Sequence, residues 1–242
     1  MKCHVLPGDA QVTEFNKTNL DGIVIVCREA LIDGPVDADS LDEFWQQRAH
    51  FILSEHGDDE IEYHEKVADP LSKLTDLTAE DEVNLWFEYE LFCSVNYWFC
   101  LSLIEGTGAA VYRVEPIGLD EDDRWDGFGQ FGSDEMLAAY ELRAKLTPDD
   151  IKLGADLWRA YSKGKLTELT TLAKTESDAF PYLSEVTAAA AEQDIRPLEV
   201  VREITVGGEK DFAKIFVEFK KRAGVYGYGD TQVQKLLDQL SS

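Results

Sequence analysis

The stretch Ile23-Val24-Ile25-Val26-Cys27, followed at once by Arg28 and Glu29, decides the fold class. Its continuous β-branched residues are typical of a strand that is buried on both faces. Similar apolar runs occur at residues 2–6, 83–87 and 109–114, with helical patterns between them. Strands that alternate with helices predict βαβ units, so we expect an α/β fold with a Rossmann-like, mainly parallel sheet of about four strands.

Two segments between these strands carry clear helix signals. Ser40-Leu41-Asp42-Glu43 is a capping box, which predicts the start of a helix that runs to about Glu55. The run from Leu91 to Ile104 is strongly apolar and rich in aromatic residues, which predicts a helix buried against the sheet. We also expect helical segments through residues 59–76.

The composition changes after residue 116. An acidic run, Asp120-Glu121-Asp122-Asp123, and the glycine-rich segment Gly127-Phe128-Gly129-Gln130 follow the last predicted strand. Thr147-Pro148-Asp149-Asp150 then predicts the start of a helix that ends near Gly164. We therefore predict an α/β domain at residues 1–116, an acidic, glycine-rich linker at 117–133 and an all-helical C-terminal domain at 134–242. Further helices are expected at 134–145, 166–174, 180–192, 197–205, 210–223 and 231–240.

The charge of the chain limits its partners. Its 242 residues include 48 acidic and 23 basic ones, for a net charge of −25. Because such a surface repels phosphate backbones and anionic lipids, we expect no nucleic-acid partner and no membrane association. The opening residues Met1-Lys2-Cys3-His4 run directly into a predicted strand, so we expect no signal peptide and a cytoplasmic location. The four cysteines lie in apolar runs, which predicts buried, free thiols.

Several short motifs occur along the chain in a recognisable order. They are His4-Val5-Leu6-x-Gly8-Asp9, Arg28-Glu29-Ala30-Leu31 with Gly34-Pro35, Phe44-Trp45 with Arg48, Leu85-Trp86-Phe87-Glu88, Gly127-Phe128-Gly129-Gln130, Trp158, Phe180-Pro181-Tyr182-Leu183 and Gly227-Tyr228-Gly229-Asp230. As a set they resemble the bacterial domain of unknown function 1835 family, although Pro7 and Cys27 stand where that pattern has Asn and Trp. The resemblance implies an α/β first half and a helical second half. It implies no activity, because the family is uncharacterised.

Carboxylates and arginines follow the predicted strands. The candidate catalytic carboxylates are Asp9, Glu29 and Glu88, and the candidate anion-binding groups are Gly8, Arg28 and Arg48. Ligands of open parallel sheets bind beyond the carboxyl ends of the strands, so we expect these side chains to converge on one cleft. Carboxylates can hold a divalent cation or act as a general base, and arginine can bind a phosphate or carboxylate group. The structural alternative is internal ion pairing of the two arginines with Glu29 or Glu88.

Three hypotheses about function follow, of which the third, nucleic-acid binding by the helical second half, is disfavoured by the net charge. The first is a cleft at the strand ends that binds a small anion or phosphoester, in which a metal ion could assist. The second is a non-enzymatic regulatory or protein-interaction module whose acidic surface meets a basic partner. The sequence predicts no particular cofactor, metal ligand or oligomeric state, and the spacing of the four histidines does not favour a zinc site.

Overall fold

The core of the fold is a parallel sheet whose strands match the predicted runs to within one residue. A computed structural model describes residues 1–56 and 60–241 of the chain. The parallel strands are β1 (Lys2–Leu6), β2 (Ile23–Val26), β3 (Glu82–Trp86) and β4 (Ala110–Val114). Their lateral order is β2-β1-β3-β4, and Val5 of β1 pairs with Ile25 on one side and Leu85 on the other. The prediction of an α/β fold with a mainly parallel sheet is confirmed.

A fifth strand extends this sheet beyond β4. It is β5 (Ala144–Lys145), which runs antiparallel to β4 and pairs Lys145 with Tyr112. The sequence predicted helices alone after residue 133, and that prediction is wrong at this point. Both residues of β5 are exposed. A strand of two exposed residues has no hydrophobic alternation to reveal it, and pairing with β4 defines it instead.

The two faces of the sheet are covered by different helices. Along β3, Val83 and Leu85 belong to one apolar cluster and Trp86 to another, because alternate side chains of a strand point to opposite faces. The first cluster includes most of α5 (Leu91–Ile104), whose bounds are those predicted. The second includes residues of α1 (Val12–Lys17) and α6 (Ser133–Glu141). Helices on both faces explain why the strands are almost continuously apolar.

The remaining helices lie close to their predicted positions. Before β3 they are α2 (Leu41–His56), α3 (Glu60–Tyr63) and α4 (Asp69–Ser72), with a π-helical turn at His64–Ala68 and a 3-10 turn at Lys73–Asp76. After β5 they are α7 (Pro148–Ser162), α8 (Leu166–Leu172), α9 (Leu183–Glu192), α10 (Arg196–Val206), α11 (Phe212–Ala223) and α12 (Asp230–Ser241). The predicted helical run 59–76 is confirmed over residues 60–76, where α, π and 3-10 turns follow one another without a break, and its first residue lies outside the described ranges. Of the helices described, none has the length and apolar character that crossing a membrane requires.

Helices from after residue 133 pack onto the sheet layer. Helix α7 contacts α5, and the rings of Phe99 and Trp158 lie 4.9 Å apart between centroids. The rings of Tyr97 and Phe180 lie 5.4 Å apart. One apolar core therefore contains residues from both sides of the predicted linker. This packing brings the C-terminal helices to the carboxyl end of β3, where the candidate site lies.

Candidate functional site

The first predicted pair, Asp9 and Arg28, forms an ion pair at the protein surface. Arg28 donates through Nε and Nη2 to the two Asp9 carboxylate oxygens, at 2.8 and 2.7 Å, and through Nη1 to the Lys66 carbonyl oxygen at 2.9 Å. This bidentate contact lowers the pKa of Asp9 and raises that of Arg28. Gly8 precedes only a three-residue 3-10 turn. An anion that bound Arg28 would therefore have to displace Asp9.

The second predicted pair, Glu29 and Arg48, is fully buried. Arg48 donates to Glu29 Oε2 through Nε at 3.1 Å and Nη2 at 2.7 Å. The Tyr63 hydroxyl donates to the other oxygen of Glu29, and Arg48 also donates to the carbonyl oxygen of Asp33. Burial, together with the nearby Glu29 carboxylate, strongly raises the pKa of Tyr63. This network ties the loop after β2 to α2 and α3, and it uses the hydrogen-bonding capacity of Arg48 within the protein.

Glu88, the remaining predicted carboxylate, lies two residues beyond β3 and contacts different groups. Its Oε1 accepts a hydrogen bond from the Phe128 N–H at 2.7 Å. Its Oε2 lies 3.9 Å from the Cys93 thiol sulfur. Among the described residues, no hydrogen bond or ion pair joins Glu88 to Asp9, Arg28, Glu29 or Arg48. The contacts thus place the predicted site residues in three groups rather than one.

Glu90 completes the group around Glu88, and the sequence reasoning did not include it. It is the N-cap residue of α5, and its Oε1 accepts a hydrogen bond from the Cys93 N–H at 3.0 Å. The residue is 4% exposed, and its Oε2 is buried without a hydrogen-bond partner. One ligand-type atom each from Glu88, Glu90 and Cys93 lies within 4.8 Å of the other two. The sequence spacing Glu88-x-Glu90-x-x-Cys93 could have indicated this group, because an N-cap residue and the third residue of its helix lie next to each other.

Two glycine turns close over these carboxylates. Gly127 and Gly227 have φ of +62° and +68°, in the left-handed region that favours glycine. A Cβ at Gly127 would overlap the Glu88 carboxyl group, and a Cβ at Gly227 would overlap the Glu90 side chain. The two glycine motifs noted in the sequence, from different parts of the chain, therefore meet at one site.

The electrostatics of this group are unfavourable to charge. Burial raises the pKa of the Glu90 carboxyl to about 8, and the neighbouring Glu88 carboxylate adds to the rise. Burial also raises the pKa of Glu88 and of the Cys93 thiol. Lys220 on α11 opposes the shift at Glu88, but its ammonium group is 2.9 Å from Asp126. The cluster thus combines acidic groups with little compensating positive charge.

A cavity of about 210 Å³ opens beside the two carboxylates. Glu88 and Glu90 line it together with the Asp126–Lys220 pair, and aromatic residues complete the wall, namely Trp125, Phe216, Phe219 and Tyr228. We call this cavity, with its two carboxylates, the Glu88–Glu90 cleft. A larger hollow of about 560 Å³ lies around residues 104–111 and 145–152, but none of its described lining residues is a buried ionisable group. A buried carboxyl group beside a half-buried one, with an adjoining cavity, makes the Glu88–Glu90 cleft the better candidate.

Comparisons with known proteins identify no relative of this chain. No protein-family model, curated protein or solved structure matches it. The resemblance to the domain of unknown function 1835 family therefore stays a prediction, and the functional conclusion depends on the site geometry.

Proposed function

We propose that the Glu88–Glu90 cleft binds a positively charged group, and that this binding is the chemical function of the chain. The observation that carries the proposal is the Glu90 Oε2 atom, which is buried and has no partner beside a second carboxylate. A cation of suitable size in the cleft would supply the missing partner. The aromatic walls add to this preference, since the faces of aromatic rings attract cations.

The orientation of both carboxylates supports this proposal. Glu88 and Glu90 each use one oxygen to accept a backbone N–H, from Phe128 and Cys93 respectively. The second oxygen of Glu90 has no hydrogen-bond partner, and that of Glu88 faces the Cys93 thiol at 3.9 Å. Backbone donors that fix a carboxylate in this way are typical of groups that orient cation ligands.

The energetic cost of the arrangement also favours a functional reading. A buried polar atom without a partner costs about 1–3 kcal/mol, and more when it carries charge. A purely structural core would reduce this cost by replacing one carboxylate with an apolar or amide side chain. Such unfavourable groups are retained in proteins where activity requires them.

The proposal keeps one half of the hypothesis drawn from the sequence. That hypothesis combined an anion held by arginines with a cation held by carboxylates. Arg28 and Arg48 already bind Asp9 and Glu29, so the anion half loses support, whereas the cation half gains a specific cleft. A small anionic ligand could still reach the cleft by binding to the cation. We further propose that the helices after β5 cover the cleft, through Lys220 on α11 and the Gly227 turn.

The alternative function, an interaction module with an acidic surface, keeps the support of the net charge of −25. It predicts binding that salt weakens and that no single buried carboxylate controls. The cation-binding proposal predicts the opposite dependence, on Glu90 in particular.

A thermal-unfolding screen of the full chain tests the proposal. The panel contains Zn²⁺, Mn²⁺, Mg²⁺, Ca²⁺ and a small primary amine. A cation at about 100 times its dissociation constant stabilises the folded state by about 2.7 kcal/mol, which raises Tm by roughly 5–10 °C for a chain of this length. We expect at least one cation to produce such a rise.

Glu90→Gln is the decisive variant. Glutamine keeps the oxygen that accepts the Cys93 N–H, but it cannot lose a proton to become a carboxylate that binds a cation. We expect the variant to be at least as stable as the wild type without cation and to lose the cation response. Glu105→Gln, at a surface carboxylate paired with Arg159, is the matched control and should respond like the wild type. An unchanged response in Glu90→Gln would refute the proposal, as would the failure of every cation to stabilise the wild type.

A further inference from the structure

We infer that the cation of the Glu88–Glu90 cleft is a transition-metal ion of the zinc class, and that the Cys93 sulfur is its third protein ligand. The inference rests on the proposed function, because it names the cation that the cleft binds. It also assigns a role to Cys93, which the sequence indicated only as a buried core residue.

The chemistry of the donor set favours this class of metal. Ca²⁺ takes six to eight oxygen ligands, and Mg²⁺ requires near-octahedral oxygen coordination. Sulfur is a soft donor that selects zinc and related transition metals. An organic ammonium ion would gain nothing from a thiol at this position. Two carboxylate oxygens and one sulfur therefore match zinc better than the other cations of the panel.

The sulfur-to-oxygen distance between Cys93 and Glu88 is compatible with this assignment. With zinc–sulfur bonds of about 2.3 Å and zinc–oxygen bonds of about 2.0–2.2 Å, a tetrahedral site places sulfur and oxygen ligands about 3.6 Å apart. The distance from Cys93 Sγ to Glu88 Oε2 is 3.9 Å. A shift of about 0.3 Å, which side-chain rotation supplies, would bring this pair to the tetrahedral value.

The local structure explains why these three groups meet. Glu90 is the N-cap of α5 and Cys93 is the third residue of the same helix, so their side chains lie over one another at its first turn. Glu88 reaches the same point from the end of β3. Metal binding would release the thiol proton to solvent, as it does at other cysteine sites.

The site would have the ligand count of an open metal centre. Three protein ligands are one fewer than a tetrahedral ion requires, and catalytic zinc sites keep that fourth position for water or substrate. The cavity of about 210 Å³ adjoins two of the three ligands and would admit such a molecule.

Zinc binding to the chelator-stripped full chain provides the test. Competition with a chromophoric chelator measures the affinity and the stoichiometry, which we expect to be one ion per chain. Changes to groups that merely support metal ligands already weaken binding about 10–100-fold, so Cys93→Ser should weaken it roughly 100-fold or more. Cys100→Ser, a buried cysteine on the same helix two turns away, is the matched control and should bind zinc like the wild type.

Cobalt supplies a measurement that needs no variant to fold. Co²⁺ bound to the wild type should show a thiolate-to-cobalt charge-transfer absorption, and Cys93→Ser should lack it. Zinc binding that is equally tight in Cys93→Ser, or a cobalt complex without the charge-transfer band, would overturn the assignment of Cys93. If the assignment of Cys93 failed but Glu90→Gln still abolished zinc binding, the proposed cation site would stand without its sulfur ligand. If the wild type bound only the amine or Ca²⁺, the assignment of a zinc-class metal would be wrong but the cation site would remain. If the wild type bound no cation, both the zinc assignment and the proposed function would be wrong.

Discussion

Substitution of Gly127 by alanine tests whether the glycine turn holds Glu88 in place. Gly127 has φ of +62°, and an L-residue in this left-handed conformation costs about 1–2 kcal/mol. The new Cβ would also overlap the Glu88 carboxyl group and force it away from the Phe128 N–H. The loss of a hydrogen bond to a carboxylate costs about 1.5–3 kcal/mol more. We expect Gly127→Ala to lower the free energy of unfolding by about 2.5–5 kcal/mol.

Gly118→Ala is the matched control for this prediction. Gly118 has φ of +73°, and no other atom lies within 4 Å of the position that a Cβ would take. It should therefore bear only the conformational cost of about 1–2 kcal/mol. Denaturant unfolding followed by tryptophan fluorescence measures both variants. The expected difference between them, about 1.5–3 kcal/mol, corresponds to roughly 3–12 °C in Tm. Equal losses in the two variants would refute the reasoning.

A double-mutant cycle separates the side-chain overlap from the backbone conformation. In a Glu88→Ala background the carboxyl group is gone, so Gly127→Ala should cost no more than Gly118→Ala. Residues in direct contact show such coupling, whereas independent residues do not. A cost that stayed undiminished in this background would show that the loop backbone, and not its contact with Glu88, requires glycine.

Three further predictions concern groups outside the cleft. Arg48→Met should lower the free energy of unfolding by about 3–5 kcal/mol, because it leaves the buried Glu29 carboxylate without its cation. Arg28→Met, at a surface ion pair, should lower it by less than about 1 kcal/mol. Similar losses for the two variants in denaturant titrations would contradict this difference in burial. Burial lowers the pKa of His4, so as the pH falls below about 6.5 the unfolded chain takes up this proton before the folded chain does, and stability should fall by up to about 1.4 kcal/mol per pH unit. His4→Gln should lack this component below pH 6.5, and parallel pH profiles would count against it. In fluorescence-anisotropy titrations at physiological salt, DNA should bind no tighter than the non-specific range of about 10⁻⁴–10⁻⁶ M, and salt-sensitive nanomolar binding would disprove the prediction from net charge.

The sequence itself determined the strands and most of the helices. The β-branched run at Ile23–Val26 and the apolar run of α5 were sufficient, because local hydrophobic patterns and capping residues define such elements. The two exposed residues of β5 have no such pattern, and only the hydrogen bonds of β4 make them a strand. Composition predicted helical structure through residues 60–76 but not its division into α, π and 3-10 turns.

The sequence determined the ion pairs less well than the elements that carry them. Arg28 follows a predicted strand and Arg48 lies within a predicted helix. Both have an acidic partner, yet one pair is exposed and the other has no exposure. One local signal did distinguish them. Arg48 lies four residues after Phe44 and three after Trp45, in the apolar stripe of α2, so helical periodicity places it on the buried face.

Only the tertiary structure determined the candidate site. Glu88 and Glu90 were visible as acidic residues near a strand end, but whether they are solvated or buried depends on loops more than 35 residues further along the chain. Gly127 and Gly227 close over them because the chain after β4 folds back onto the end of β3, and each glycine leaves the space that a side chain would fill. Burial removes water from the carboxylates and leaves Glu90 Oε2 without a hydrogen-bond partner. This burial depends on contacts between residues distant in sequence, which no local pattern encodes.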